Sequence, residues 1–183
     1  MKRVFMSAVL PLMLAATANT GLAGVGNASE KDKKFFQGVS GEWRGPGEIV
    51  AGKYKGTKFT CTFQGSTPDG KIGLIFDGGC RVGVFTQKMS ATIEKTGKGY
   101  RGSFLDGSQG KGLDVTYGNV DDNKVIMSLI RNQLKGVMLA KLKGEDDMNV
   151  TISVSVDKQM VPVIGISLRR VDGTAVGSVA SRD

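Results

Sequence analysis

The chain carries two cysteines, Cys61 and Cys80, and no histidine. Without imidazole there is no Ser-His-Asp or Cys-His nucleophilic system, no ordinary zinc site and no His-ligated haem. Two thiols alone make a poor metal set, so the pair reads as a disulfide, against a reactive thiol or a metal ligand as the rival readings. A disulfide closing a loop of about 20 residues adds roughly 3 kcal/mol on the chain-entropy account. Carboxylate, Lys and Tyr chemistry survive the exclusion. Glu42 and Glu48, six residues apart, share a strand face and so suit acid–base work, but nothing singles them out.

Other stretches gather groups of one kind. GSQGKG at 107–112 lacks the full phosphate-loop spacing and opens no helix, so it reads as a glycine-rich hairpin. GEDDMN at 144–149 and VDDN at 120–123 collect acids. Neither has both the alternating ligands and the terminal bidentate acid of a calcium loop, and both read as turns. GKYKGTK at 52–58 sets Lys53, Lys55 and Lys58 around Tyr54. Such a basic patch suits phosphate contact with stacking, or simply keeps an outer strand face soluble. Tyr54, Tyr100 and Tyr117 read as strand aromatics rather than haem ligands. No catalytic residue, metal or cofactor is assigned, and the expectation is a protein that is not an enzyme.

The N-terminal run MKRVFMSAVLPLMLAATANTGLAG has the form of a secretory signal peptide. Lys2 and Arg3 give the positive end, and residues 4–16 form an apolar run too short to span a bilayer comfortably. Small residues at 16–18 or 21–23 offer cleavage sites, with an uncleaved anchor as the rival reading. No cysteine follows for lipid attachment, so the expectation is a periplasmic or extracellular protein, where a disulfide is favoured. The net charge is +8, and +6 without Lys2 and Arg3. That balance favours an anionic envelope surface over nucleic acid, or serves solubility alone.

The elements that must position these residues are mostly strands. Ser29 is placed to cap a short helix over 33–37 that Gly38 and Gly41 would end. Alternation then takes over. Phe59, Cys61 and Phe63 share one face; so do Ile72, Leu74 and Phe76; so do Tyr100 and Phe104, and Leu113, Val115 and Tyr117. Met148, Val150, Ile152, Val154 and Val156 give the cleanest case. A period of two means strands with one buried face. Turn chemistry recurs at 68–70, 77–79, 106–107, 118–119, 121–123, 144–147 and 172–173. The sum is an all-β domain, a single antiparallel up-and-down β-barrel of about ten strands with a short N-terminal helix. A β-sandwich is the alternative. The organisation expected is a signal peptide over 1–23, a helical segment over 24–40, a barrel over 41–171 and a flexible tail over 172–183. Trp43-Arg44-Gly45 and Tyr100-Arg101-Gly102, each followed by Lys-Gly, form a faint internal echo.

A short helix leading into Gly41-Glu42-Trp43, a meander of strands and a last strand ending Leu168-Arg169-Arg170 resembles the calycin-type barrels: lipocalins, avidins and fatty-acid-binding-like proteins. The resemblance implies that Trp43 packs at the barrel base and that a basic residue covers its ring. Alternation along the last strand favours Arg170 over Arg169. An indole face attracts a guanidinium whatever the family. Pro46 and Gly47 depart from the pattern and predict a bulge or bend in the first strand. A haem-binding relative of the nitrobindin kind would need a histidine that is missing here. The function expected is a calycin-like binder of a small apolar or amphipathic ligand, lined by Phe59, Phe63, Phe76, Tyr100 and Phe104. The alternative is an envelope-associated protein with a filled barrel that binds another protein, as an inhibitor for example, or an anionic lipid surface.

Overall fold

The alternating runs close on themselves. In the computed structural model the described residues are 23–97, 99–105 and 112–171. The signal-peptide, tail and GSQGKG expectations fall, wholly or nearly so, outside them. Helix α1 (Ala23–Val39) precedes ten strands: β1 (Gly41–Ile49), β2 (Lys58–Ser66), β3 (Gly73–Val82), β4 (Phe85–Thr96), β5 (Gly99–Leu105), β6 (Leu113–Asp121), β7 (Lys124–Arg131), β8 (Leu134–Lys143), β9 (Asp147–Val156) and β10 (Gln159–Arg170). Each strand pairs antiparallel with the next, and β1 pairs with β10, so the sheet is a closed up-and-down barrel rather than a sandwich. Closure removes the exposed edges that ten strands would otherwise carry.

On β2, Cys61 and Phe63 face inward while Lys58, Thr60, Thr62 and Gln64 face solvent. This is apolar-in and polar-out, the reverse of a barrel whose outer face meets lipid. No helix among the described residues is long and apolar enough to cross a membrane. Cys61 and Cys80 are directly paired across β2 and β3, with Cα atoms 4.0 Å apart, and form a disulfide inside the barrel wall.

Several local expectations are corrected. The helix runs from Ala23 to Val39, so Ser29 lies within it and caps nothing. Its length follows from docking: Asp32, Phe35, Phe36 and Val39 lie one helical turn apart and all four are buried. Pro46 and Gly47 cause no bulge. The register of β1 with β10 is the same on both sides of them, with ladder pairs missing only at Gly45 and Pro46. The stretch 77–79 is not a turn but the middle of β3. A side chain at Gly78 would overlap the Thr62 carbonyl, so the glycine is there for close backbone approach. Residues 118–119 likewise belong to β6. A bulge between Val115 and Tyr117 turns Tyr117 outward, away from the face of Val115.

Candidate functional site

The two ends of the barrel differ in kind. Helix α1 closes one end. Phe35, Phe36 and Val39 are buried against Trp43, Tyr100 and Met148 in one core cluster. Trp43 is fully buried and its indole N–H donates to the Val39 carbonyl at 2.8 Å. The Arg170 guanidinium lies 4.4 Å from the Trp43 ring centroid and donates to the carbonyls of Ser40 and Gly38, each at 2.6 Å. Ser40 serves the Phe36 and Gln37 carbonyls. The carbonyls that a helix end leaves orphaned are thus met by Ser40, Trp43 and Arg170, and the cation suits the negative end of the helix dipole.

A polar cluster fastens the other side of α1. Lys95 Nζ and the Tyr100 hydroxyl both reach Asp32 Oδ2, at 2.6 and 2.7 Å. Burial, then the hydrogen bond and charge of Asp32, push the Tyr100 phenol far above its ordinary range. Tyr100 therefore stays protonated as a donor and is a strut rather than an acid–base group. Its ring packs 5.2 Å from Phe36. The two echo motifs meet here: Trp43 and Tyr100 rise from β1 and β5 to grip the same helix. Side chains at Gly45 and Gly102 would each overlap a neighbouring strand's carbonyl.

Between α1 and the far end lies a cavity of about 340 Å³. Phe59, Phe63, Phe76 and Phe104 line it, with Phe63 stacked on Phe76 at 4.8 Å. Tyr100 does not line it; it is buried at the α1 end of β5 and packs on Phe36 instead. The remaining wall is aliphatic or Met, with Ile152, Ile166 and Met138 as examples. Arg131, at the end of β7, is the one charged side chain among the described lining residues. Leu134, just across the β7–β8 turn, lines the cavity and is 45% exposed, so the cavity opens at that end. The lining holds no carboxylate, hydroxyl or free thiol among the described residues. Glu42 and Glu48 are absent from it; they lie on the outward face of β1.

Lys53 and Lys55 stand exposed in the β1–β2 connection at the open end, and Lys58 points outward from the start of β2. Lys53 Nζ lies 5.5 Å from the Tyr54 ring centroid. Sequence reasoning missed Asp32, Lys95 and Arg131. Asp32 was findable, since it shares the helical spacing of Phe35, Phe36 and Val39. Arg131 was findable as well, since it continues the inward series Val125, Met127 and Leu129 along β7.

The class defined by this geometry is a closed ten-stranded antiparallel barrel, plugged by a helix at one end and hollow toward the other. No family model and no curated protein matches the chain. Solved structures similar to it include a protein of unknown function of the DUF3598 family from Nostoc punctiforme, at 19% identity and a TM-score of 0.49 over 74% of this chain and 49% of that one. The chain thus spans about half the length of the Nostoc protein. They also include Rv2717c from M. tuberculosis, at 10% identity and a TM-score of 0.54 over 77% of this chain and 98% of that one. At 10% identity the likeness is one of fold alone. Neither name is that of a lipocalin, an avidin or a fatty-acid-binding protein, and the family expectation narrows to the small barrel itself.

Proposed function

We propose that the protein is an exported, non-catalytic carrier that holds a small amphipathic molecule in its barrel. The cavity carries this reading. Its volume falls in the range of small-molecule sites, and its wall is apolar except at the mouth. An acyl-like tail would lie against Phe59, Phe76 and Ile152, with its head near Arg131, where a negative group fits better than a positive one. The disulfide and the signal-like N-terminus favour export into an oxidising compartment. The hollow interior favours this reading over that of a filled barrel binding another protein.

Native mass spectrometry of the protein purified from its own cells tests the reading. A retained mass of lipid size, released by mild denaturation, is the expected result. Protein of bare chain mass that gains no thermal stability from any fatty acid or lysolipid would overturn it.

A further inference from the structure

The open end carries a surface that the cavity alone does not explain. Of the eleven exposed large hydrophobic residues described, nine lie in the connections or strand ends there. The most prominent are Val84 and Phe85, 88% and 79% exposed at the β3–β4 hairpin tip, and Tyr54, 63% exposed in the β1–β2 connection. Exposed apolar side chains gathered in one zone mark a contact surface.

Charge sharpens the identity of the partner. Lys53, Lys55, Lys58, Arg81, Lys135 and Lys158 are all exposed at this end, against Glu48, Asp114 and Asp157. The six described ion pairs, Lys31–Asp122 and Arg169–Asp147 among them, lie toward the α1 end. None of the six cations at the mouth is in an ion pair among the described residues. A second copy docked mouth to mouth would bring like charges together, so self-association is disfavoured. Aromatic and aliphatic tips interleaved with lysines suit the headgroup level of an anionic bilayer, where rings sit at the interface and lysines meet phosphate.

We infer that the barrel docks mouth-first on anionic phospholipid bilayers, with Val84, Phe85 and Tyr54 entering the interface and the surrounding lysines contacting headgroups. The docking rests on the rim; only its purpose, direct exchange of an amphipathic molecule between bilayer and cavity, rests on the carrier reading. The mouth then opens into lipid rather than water, so an apolar tail passes without crossing solvent.

Flotation of the purified protein with phosphatidylcholine vesicles, with and without phosphatidylglycerol, tests the docking. Binding is expected only with phosphatidylglycerol and should weaken as salt rises. Phe85→Ser should lower partitioning about tenfold. The pair Lys53→Glu and Lys55→Glu should lower it by a further factor of about ten or more. The pair Lys33→Glu and Lys34→Glu, a matched exposed change on α1, should leave it near the natural value. A tryptophan substituted at Phe85 (F85W) should shift its emission to the blue on phosphatidylglycerol vesicles, while Trp43 stays buried at the other end. No flotation of the natural protein, or equal loss from the Lys33→Glu and Lys34→Glu pair, would overturn the docking; the latter would mean attraction by overall charge. Mass spectrometry of the same samples separates the two readings. Ligand without flotation sinks the docking alone, and flotation without ligand sinks the carrier alone.

Discussion

Arg170 covers Trp43 across the seam where the last strand meets the first. The two residues are register partners of β10 and β1, and the guanidinium carbon lies 4.4 Å from the indole centroid. The same guanidinium holds the carbonyls of Gly38 and Ser40, so one side chain ties together both chain-end strands and the plug. The indole beneath is fully buried and anchors the Val39 carbonyl. Trp43→Ala should therefore cost about 3–5 kcal/mol, by the loss of a large buried ring and the cavity left behind. Chemical denaturation followed by circular dichroism measures this; a change under about 1 kcal/mol would mean that the ring is not core.

The planar fork, not merely the charge, makes that clamp. Lysine at 170 keeps the charge but cannot serve two carbonyls and face the ring at once. Arg170→Lys should cost about 1–3 kcal/mol, whereas Arg169→Lys next door should change little, since its ion pair with Asp147 is exposed. Equal effects at the two positions would contradict the clamp.

The disulfide joins neighbouring strands that are already paired, so it secures the β2–β3 hairpin against opening. Reduction should lower stability by about 3 kcal/mol, visible as a lower melting temperature. The oxidised native protein should show no thiol reactive to a colorimetric reagent; two free thiols would refute the pairing.

Tyr100 predicts an alkaline limit. Its phenol is pushed above the ordinary value near 10 by burial first and by Asp32 second. Below that pH both folded and unfolded chains hold the proton, and stability is unaffected. Above it the unfolded chain releases the proton while the folded chain keeps it, so stability falls as pH rises. Spectroscopic titration should find one of the three tyrosines silent until the protein unfolds. Tyr100→Phe should flatten the fall in stability above pH 10, and a slope as steep as that of the natural protein would count against the assignment.

Much of this fold was legible because one polarity rule operates along most strands. Phe59, Phe63, Phe76 and Phe104 face the interior as their spacing implies. Misreadings arose where a residue type has two uses. Asp77-Gly78-Gly79 reads as a turn, yet Gly78 is required because β2 and β3 approach too closely for a side chain. Tyr117 lies beyond a one-residue bulge, which alternation cannot foresee. Alternation gives Tyr100 its inward face but not its height along the barrel, which depends on how the strands stagger. The hollow and the crown of exposed tips at the mouth depend on which loops the topology gathers at one end. No local pattern reports that.

The cavity offers the last prediction. A medium-chain fatty acid at about a hundred times its dissociation constant should stabilise the protein by about 2.7 kcal/mol, or roughly 5–10 °C in melting temperature. The tail and the head can be separated, because the wall is apolar and Arg131 is the only described charge on it. Arg131→Gln should weaken the fatty acid about tenfold while leaving the alcohol of equal chain length nearly unchanged. A bulky change in the wall should act on both alike: Ala140→Phe takes up cavity volume and should abolish the thermal shift while the protein still folds. If the fatty acid and the alcohol both bind Ala140→Phe as they bind the natural chain, the ligand lies outside the barrel.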